Sequence, residues 1–281
     1  MYLAVSSKKD IASQNIKQKI LEMVNVVKDE RKEQYHFYFT DYDLILVEID
    51  DDLIYSDYLD QRLRKYIEFD EILFLSRHSS KDRRKIFSTH CTGNLESAEY
   101  GGKPYSLAIP ASFTMKNFLL ALSKRINRKP EFQIMLEATH HGPTEINVPM
   151  AFYEIGSTEE EWKDLKAAEI VAESLLEAIQ NKRKWKIAVG IGGTHYVPRQ
   201  TEIMLETEFC FGHNFAKYTF DYLNTDILIL AAKISKAECF IIDEKSVNKA
   251  VKKIVEDAAK SLGIPVYKTK EIKKKYKLQE I

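Results

Sequence analysis

The sequence predicts an α/β fold, on three observations. Apolar runs of about four to eight residues alternate with stretches whose apolar residues recur every three or four positions, which is strand alternating with helix. Several of the runs are almost wholly apolar, as in strands buried on both faces of a largely parallel sheet. The composition, 44% hydrophobic and 30% charged with only 7 Pro and 10 Gly in 281 residues, is that of a packed globular chain.

In order, Tyr2 to Ser6 reads as a short strand, and Ile16, Ile20, Val24 and Val27 form one helical face. Strands are then expected at Phe37–Phe39, Leu44–Ile49, Ile72–Leu75, Phe132–Leu136, Ile187–Ile191 and Phe240–Ile242. Helical spacing recurs at Leu59, Leu63 and Tyr66/Ile67, at Phe118/Leu119, Leu122 and Ile126, and through Thr158–Asn181. Ser157-Thr158 followed by Glu159, Glu160 and Glu161 starts that long helix with a capping hydroxyl and carboxylates at the positive end of its dipole. Ser246 is expected to begin the last long helix, which ends at Gly263 with Pro265 beyond. Neither an internal repeat nor a Gly/Ser-rich or Pro-rich linker divides the chain, so one catalytic domain over residues 1–281 is expected, with elaborated loops at about 77–105 and 140–150.

Lys+Arg and Asp+Glu are 42 each, so bulk charge cannot hold this chain to a polyanion. Cys91, Cys210 and Cys239 lie far apart without a C-x-x-C pair, which argues against a disulfide framework or zinc ribbon. The opening residues lack the basic region and apolar run of a signal peptide, and no run approaches the 18 apolar residues of a membrane span, so a cytoplasmic protein is expected.

The chemistry-bearing residues fall between the elements. Six of seven histidines, His78, His90, His140, His141, His195 and His213, lie in segments read as loops; His36 sits in a strand. In a parallel α/β sheet the loops beyond the carboxyl ends of strands converge on one cleft, and clustered imidazoles suit metal binding or proton transfer near neutral pH. Glu137-Ala138-Thr139 runs into His140-His141 and then the turn Gly142-Pro143. Because neighbours on an extended backbone point opposite ways, one metal is expected to take only one of this pair. Gly190-Ile191-Gly192-Gly193-Thr194 lacks a P-loop lysine and does not fit G-x-G-x-x-G, so nucleotide binding is not read there; its N–H groups suit an oxyanion or phosphate, and tight packing explains the glycines equally well. Arg77, Lys81, Arg83, Arg84 and Lys85 against Asp82 make a basic loop suited to phosphate, and residues 268–277 form a Lys-rich tail.

Together the stretches Arg77-His78 to Arg84-x-x-Phe87-x-x-His90-x-Thr92-Gly93-Asn94, Glu137 to Thr144, Glu154-Ile155-Gly156-Ser157 to Trp162, Gly190 to Tyr196 and Phe211-Gly212-His213 resemble the archaeal and plant type of D-aminoacyl-tRNA deacylase, over about residues 1–270. The resemblance implies a Zn²⁺-dependent esterase of broad side-chain specificity that frees D-amino acids from tRNA. It also implies a three-layer α/β/α fold with a mixed, largely parallel sheet similar to phosphorylases and peptidyl-tRNA hydrolases. On this reading metal ligands come from His78, His90, His140, His141 and His195. Catalytic roles fall to His140, His141, His195, Glu137 and Glu145, with either glutamate as ligand or general base, and the N–H groups of Gly192 and Gly193 receive the oxyanion. Substrate contacts are expected from Asn94, Thr144, Asn147, Gly192, Gly193, Thr194 and His213, with Glu145 and Asn147 fixing the groups around the alpha carbon. The acceptor end of tRNA meets the basic loop, and a monomer free of membrane is expected. Two other classes stay open: a metal-dependent peptidase or amidohydrolase on small substrates, which does not need the basic loop, and a non-catalytic tRNA-binding module, which does not need the histidines.

Overall fold

The apolar runs become the middle of two sheets. The structure, a computed structural model, describes residues 1–278. Its elements run β1 (Tyr2–Ser7), α1 (Ile11–Met23), β2 (Val26–Lys32), β3 (Tyr35–Thr40), β4 (Leu44–Ile49), α2 (Leu59–Leu63), β5 (Glu71–Arg77), β6 (Ile86–His90), β7 (Gly93–Asn94), β8 (Ser106–Leu107), α3 (Ser112–Ser123) and β9 (Gln133–Leu136). They continue with β10 (Met150–Gly156), α4 (Glu159–Trp162), α5 (Leu165–Gln180), β11 (Lys186–Ile191), α6 (Pro198–Glu206), β12 (Phe209–Phe215), α7 (Thr225–Ser235), β13 (Cys239–Ile242), α8 (Lys249–Leu262), β14 (Val266–Lys268) and α9 (Thr269–Lys275).

Eight strands form a mixed sheet in the order β2-β3-β4-β1-β5-β10-β6-β9. β4, β1, β5 and β10 are mutually parallel, as their apolar character requires, and β6 turns antiparallel to β10 with β9 parallel to β6. A second sheet, β12-β11-β13-β14, is parallel throughout. One apolar core lies around the large sheet, and a smaller one, with Val189, Phe215, Leu228, Phe240 and Val255, lies around the second. The α/β class expected from the sequence is the class observed. The segments after β9 and β11 run side by side: Glu137 bridges Tyr196, Ala138 N donates to His195 O at 2.8 Å and Thr139 N to Asn214 O at 2.8 Å. That junction brings loops from both sheets to one place.

Several local expectations fail for identifiable reasons. α1 stops at Met23, because Val24 is already extended, and Val27 belongs to the mostly exposed edge strand β2 paired with β3. The Thr158–Asn181 stretch is two helices, since the Asp164 carboxylate accepts from Lys166 N and Ala167 N and restarts the helix there. Asn248, not Ser246, caps α8; the Ser246 hydroxyl accepts from Gly193 N instead. β6, β10, β12, α6 and α7 answer to no element read from the sequence. In β10 and β12 the apolar run carries Glu154 or His213-Asn214, whose polarity disguises buried strands. The three cysteines are buried and form no disulfide. No helix among the described residues is long and apolar enough to cross a membrane.

Lys116 on α3 is fully buried and donates to Met204 O and, at 2.7 Å, to Thr207 O, closing the carboxyl end of α6. Burial pulls its pKa down to about 7. Between that value and the ordinary lysine pKa the unfolded chain holds more protons, so this group makes stability rise with pH above about 7, by at most about 1.4 kcal/mol per pH unit. Denaturant midpoints of the wild type and Lys116→Met, compared between pH 7 and 10, will diverge upward for the wild type; parallel curves overturn the assignment.

Candidate active site

Two buried carboxylates organise the histidines. β10 places Glu154 at the sheet interior beside His78, which follows β5, and His90, which ends β6: His78 Nδ1 lies 3.4 Å and His90 Nε2 3.6 Å from Glu154 Oε2. A Cβ at Gly156 would stand 2.7 Å from the His78 Cβ, so glycine there makes room for that imidazole. Glu137, just past β9, approaches His78 Nδ1 at 3.1 Å, His195 Nε2 at 2.8 Å and His140 Nε2 at 3.8 Å. The His78 Nε2 and Tyr196 Oη are 2.9 Å apart. His140 and His141 complete the group, with ring centroids 4.2 and 4.9 Å from that of His90 and 4.4 Å from each other.

The two adjacent histidines therefore face one centre, against the expectation from an extended backbone. The reason is local: His141 has φ +41°, in the left-handed region that non-glycine residues rarely adopt, and the chain reverses there. His90, His140 and His141 offer nitrogen atoms within 4.8 Å of one another; His78, Glu137 and His195 form a second such set, and His90, Glu137 and Glu154 a third.

Electrostatics divide the group. Burial opposes charge on His78, yet the Glu137 and Glu154 carboxylates outweigh it and raise its pKa to about 12. His90 is raised in the same way, burial opposing and Glu154 dominating. Burial and the neighbouring His90 hold His140 well below its ordinary value and His141 at about 4, so both are neutral bases. Glu137 and Glu154, despite burial, are held ionised by the histidines around them.

Of the residues singled out in the sequence, His78, His90, Glu137, His140, His141 and His195 come together here. Glu145 does not: its carboxylate is taken by Lys103 at 2.6 Å and Ser106 at 3.2 Å. The loop carrying it is stiff, because Asp57 accepts from Thr144 N and Glu145 N and Asp60 from Asn147 N, but Asn147 is exposed and does not line the cavity at the histidines. Gly192 N donates to Phe215 O and Gly193 N to the Ser246 hydroxyl, both at 2.8 Å, so these donors are already engaged and form no oxyanion site. Thr194 is exposed and donates to Tyr196 O. Thr144 Oγ1 accepts from Lys103 N, and Asn94 Nδ2 donates to Gly101 O and Lys103 O. In the basic loop, Lys85 pairs with Glu160 and Glu161 and Arg84 with Asp82, while Arg77 stands at the cleft with its guanidinium over Trp162; Lys81 and Arg83 are exposed.

His213 is buried within β12, not in a loop. Its Nδ1 accepts from the Thr139 hydroxyl and its Nε2 donates to Ala108 O at 3.0 Å, and burial lowers its pKa to about 4. It is a fixed neutral structural residue. His213→Ala is expected to cost at least about 1–3 kcal/mol in denaturant unfolding by orphaning those partners, with little change in turnover at permissive temperature; an intact midpoint contradicts this.

The cluster floors a cavity of about 680 Å³ lined also by Asp10, Asp52, Tyr55, Arg77 and Tyr100. Glu154 and Tyr196 were missed as site residues. Both stand in stretches that carry the family resemblance, and Glu154 is also a charge inside the apolar run Met150–Ile155. The arrangement, buried ionised carboxylates orienting imidazoles on a polar cleft, suits hydrolysis by a positioned water.

Comparison with known proteins agrees with that chemistry. The sequence profile described as D-aminoacyl-tRNA deacylase matches residues 65–267. A protein named D-aminoacyl-tRNA deacylase from Archaeoglobus fulgidus is 57% identical over 279 residues, 99% of this chain and 100% of that one, and its namesake from Pyrococcus abyssi is 36% identical over 95% of this chain and 100% of its own. A crystal structure of a conserved protein of unknown function, 56% identical, superposes with a TM-score of 0.97 over 99% of both chains. On these matches the chain belongs to the D-aminoacyl-tRNA deacylase family.

Proposed function

We propose that this chain hydrolyses the ester joining a D-amino acid to the 3′-terminal ribose of tRNA, with Zn²⁺ held among the clustered histidines. The observation that carries the reading is the set His90, His140 and His141. Their Nδ1 atoms face the carbonyl oxygens of Cys91, Ala138 and Gly142. A carbonyl only accepts, so His140 and His141, held neutral, donate there and keep a lone pair at Nε2. The buried His90 Nε2 lacks a hydrogen-bond partner, as an atom reserved for a ligand does. Three imidazoles with a further position for water are a catalytic zinc donor set, and His78, Glu137 and His195 form a second, carboxylate-containing one. A bound zinc ion supplies Lewis acidity and lowers the pKa of water toward about 7.

The remaining roles belong to the chain. Glu137 Oε2 stands 2.8 Å from His195 Nε2, so the nitrogen of that ring left for proton transfer is Nδ1. We assign His195 Nδ1 as the proton carrier: it takes a proton as water adds to the ester carbonyl and returns it to the ribose oxygen as the C–O bond breaks. Arg77 at the cleft, with the exposed Lys81 and Arg83 of the same loop, supplies phosphate contacts for the acceptor end, and a tRNA substrate supports work in the cytoplasm. The test is deacylation of matched D- and L-tyrosyl-tRNA at several salt concentrations. The expected result is strong preference for the D ester with KM rising as salt rises; equal rates for the two enantiomers overturn the reading.

A further inference from the structure

His140 and His141 are the shared wall of two cavities. On one side lies the 680 Å³ cleft; on the other lies a smaller one of about 200 Å³, bounded by Asn94, Leu95, Thr139, Tyr218 and Tyr222. The ester of an aminoacyl-tRNA has two sides as well, the aminoacyl group and the terminal nucleoside, so a centre acting at that bond needs a space for each.

Their chemistry differs. Asp10, Asp52 and Glu154 on the larger cavity, set against Arg77, suit an ammonium group, while the smaller carries one carboxylate, Glu96. The smaller is walled by tyrosines that the fold does not bury: Tyr218 is 54% and Tyr222 42% exposed. Tyr218 lies with its ring centroid 6.4 Å from that of His195 and the planes 31° apart, so an aromatic surface leads out from the proposed proton carrier. Lys217, exposed next to it, adds a positive charge where a nucleotide's phosphate would follow. Unpaired bases at the ends of RNA are held on such surfaces by stacking, which any base tolerates.

We propose that the cavity walled by Tyr218 and Tyr222 receives the base of the 3′-terminal nucleotide by stacking, while the cavity across His140 and His141 receives the aminoacyl group. The assignment rests on the ester reading above and adds the positions that bind the nucleoside.

The probe is uncharged tRNA carrying 2-aminopurine as its terminal base, whose fluorescence is quenched when it stacks, added to the metal-replete full chain. Binding to the wild type quenches it. The double variant Tyr218→Leu/Tyr222→Leu loses the quench and raises KM for D-tyrosyl-tRNA at least about fivefold, with kcat moving less, as expected when stacking worth about 1–3 kcal/mol per base is removed. Phenylalanine at both positions restores the quench, which separates stacking from misfolding. Quenching that persists in the leucine variant, or that is lost instead in Tyr55→Leu/Tyr100→Leu, overturns the assignment. Ordinary D-tyrosyl-tRNA hydrolysis without any quench rejects the cavity assignment alone; a quench from a wild type that spares the D ester rejects the ester reading alone.

Discussion

Replacing His90, His140 or His141 by alanine is expected to lower deacylation of D-tyrosyl-tRNA by at least about 100-fold and to reduce bound zinc in parallel. The bound follows from metal sites in general: loss of a residue that merely orients a ligand costs about 10–100-fold, and these three are proposed as the ligands themselves. Their Nδ1 contacts to backbone carbonyls fix each ring, so alanine removes a nitrogen that no neighbour can replace. Elemental analysis of purified protein alongside single-turnover deacylation checks both halves. Full activity in protein stripped of zinc would leave His195 with Glu137 as the general base and remove the metal from the mechanism.

Glu137→Gln is expected to lower kcat by about 10²–10⁴, the range typical of general acid–base function. Glutamine keeps the shape but is uncharged, and it places an amide NH₂ against either His195 Nε2 or His78 Nδ1, both of which the carboxylate now faces. His195 then loses the carboxylate that orients its ring. Folding suffers less than catalysis. His78 retains Glu154 at 3.4 Å, so the loss should stay below the roughly 3–5 kcal/mol of an uncompensated buried charge. Rapid-quench kinetics with a denaturant titration separates the two effects, and a kcat within tenfold of the wild type would remove Glu137 from the catalytic group.

Much of this was legible in the chain. Apolar runs such as Leu44–Ile49 and Ile72–Leu75 read as buried strands, and both lie in the interior of the large sheet. The family was readable too, because motifs such as Glu137 to Thr144 are local strings. β10 and β12 were not read as strands, and the burial of their Glu154 and His213 depends on partners remote in sequence.

The sequence alone determined the α/β class, the family and the residue types able to do the chemistry, since periodicity and short motifs depend only on near neighbours. Which of those residues share a centre was decided by tertiary structure. The segments after β9 and β11 meet only because two sheets abut, His141 joins His140 through one left-handed backbone angle, and Gly192, Gly193, Glu145 and His213 are withdrawn by contacts from distant segments. A donor N–H or a carboxylate already engaged by the fold is not left for a substrate, and the engaging partner is brought up by packing across more than 30 residues of chain in each of these withdrawals except Gly192, whose partner Phe215 lies on the neighbouring strand.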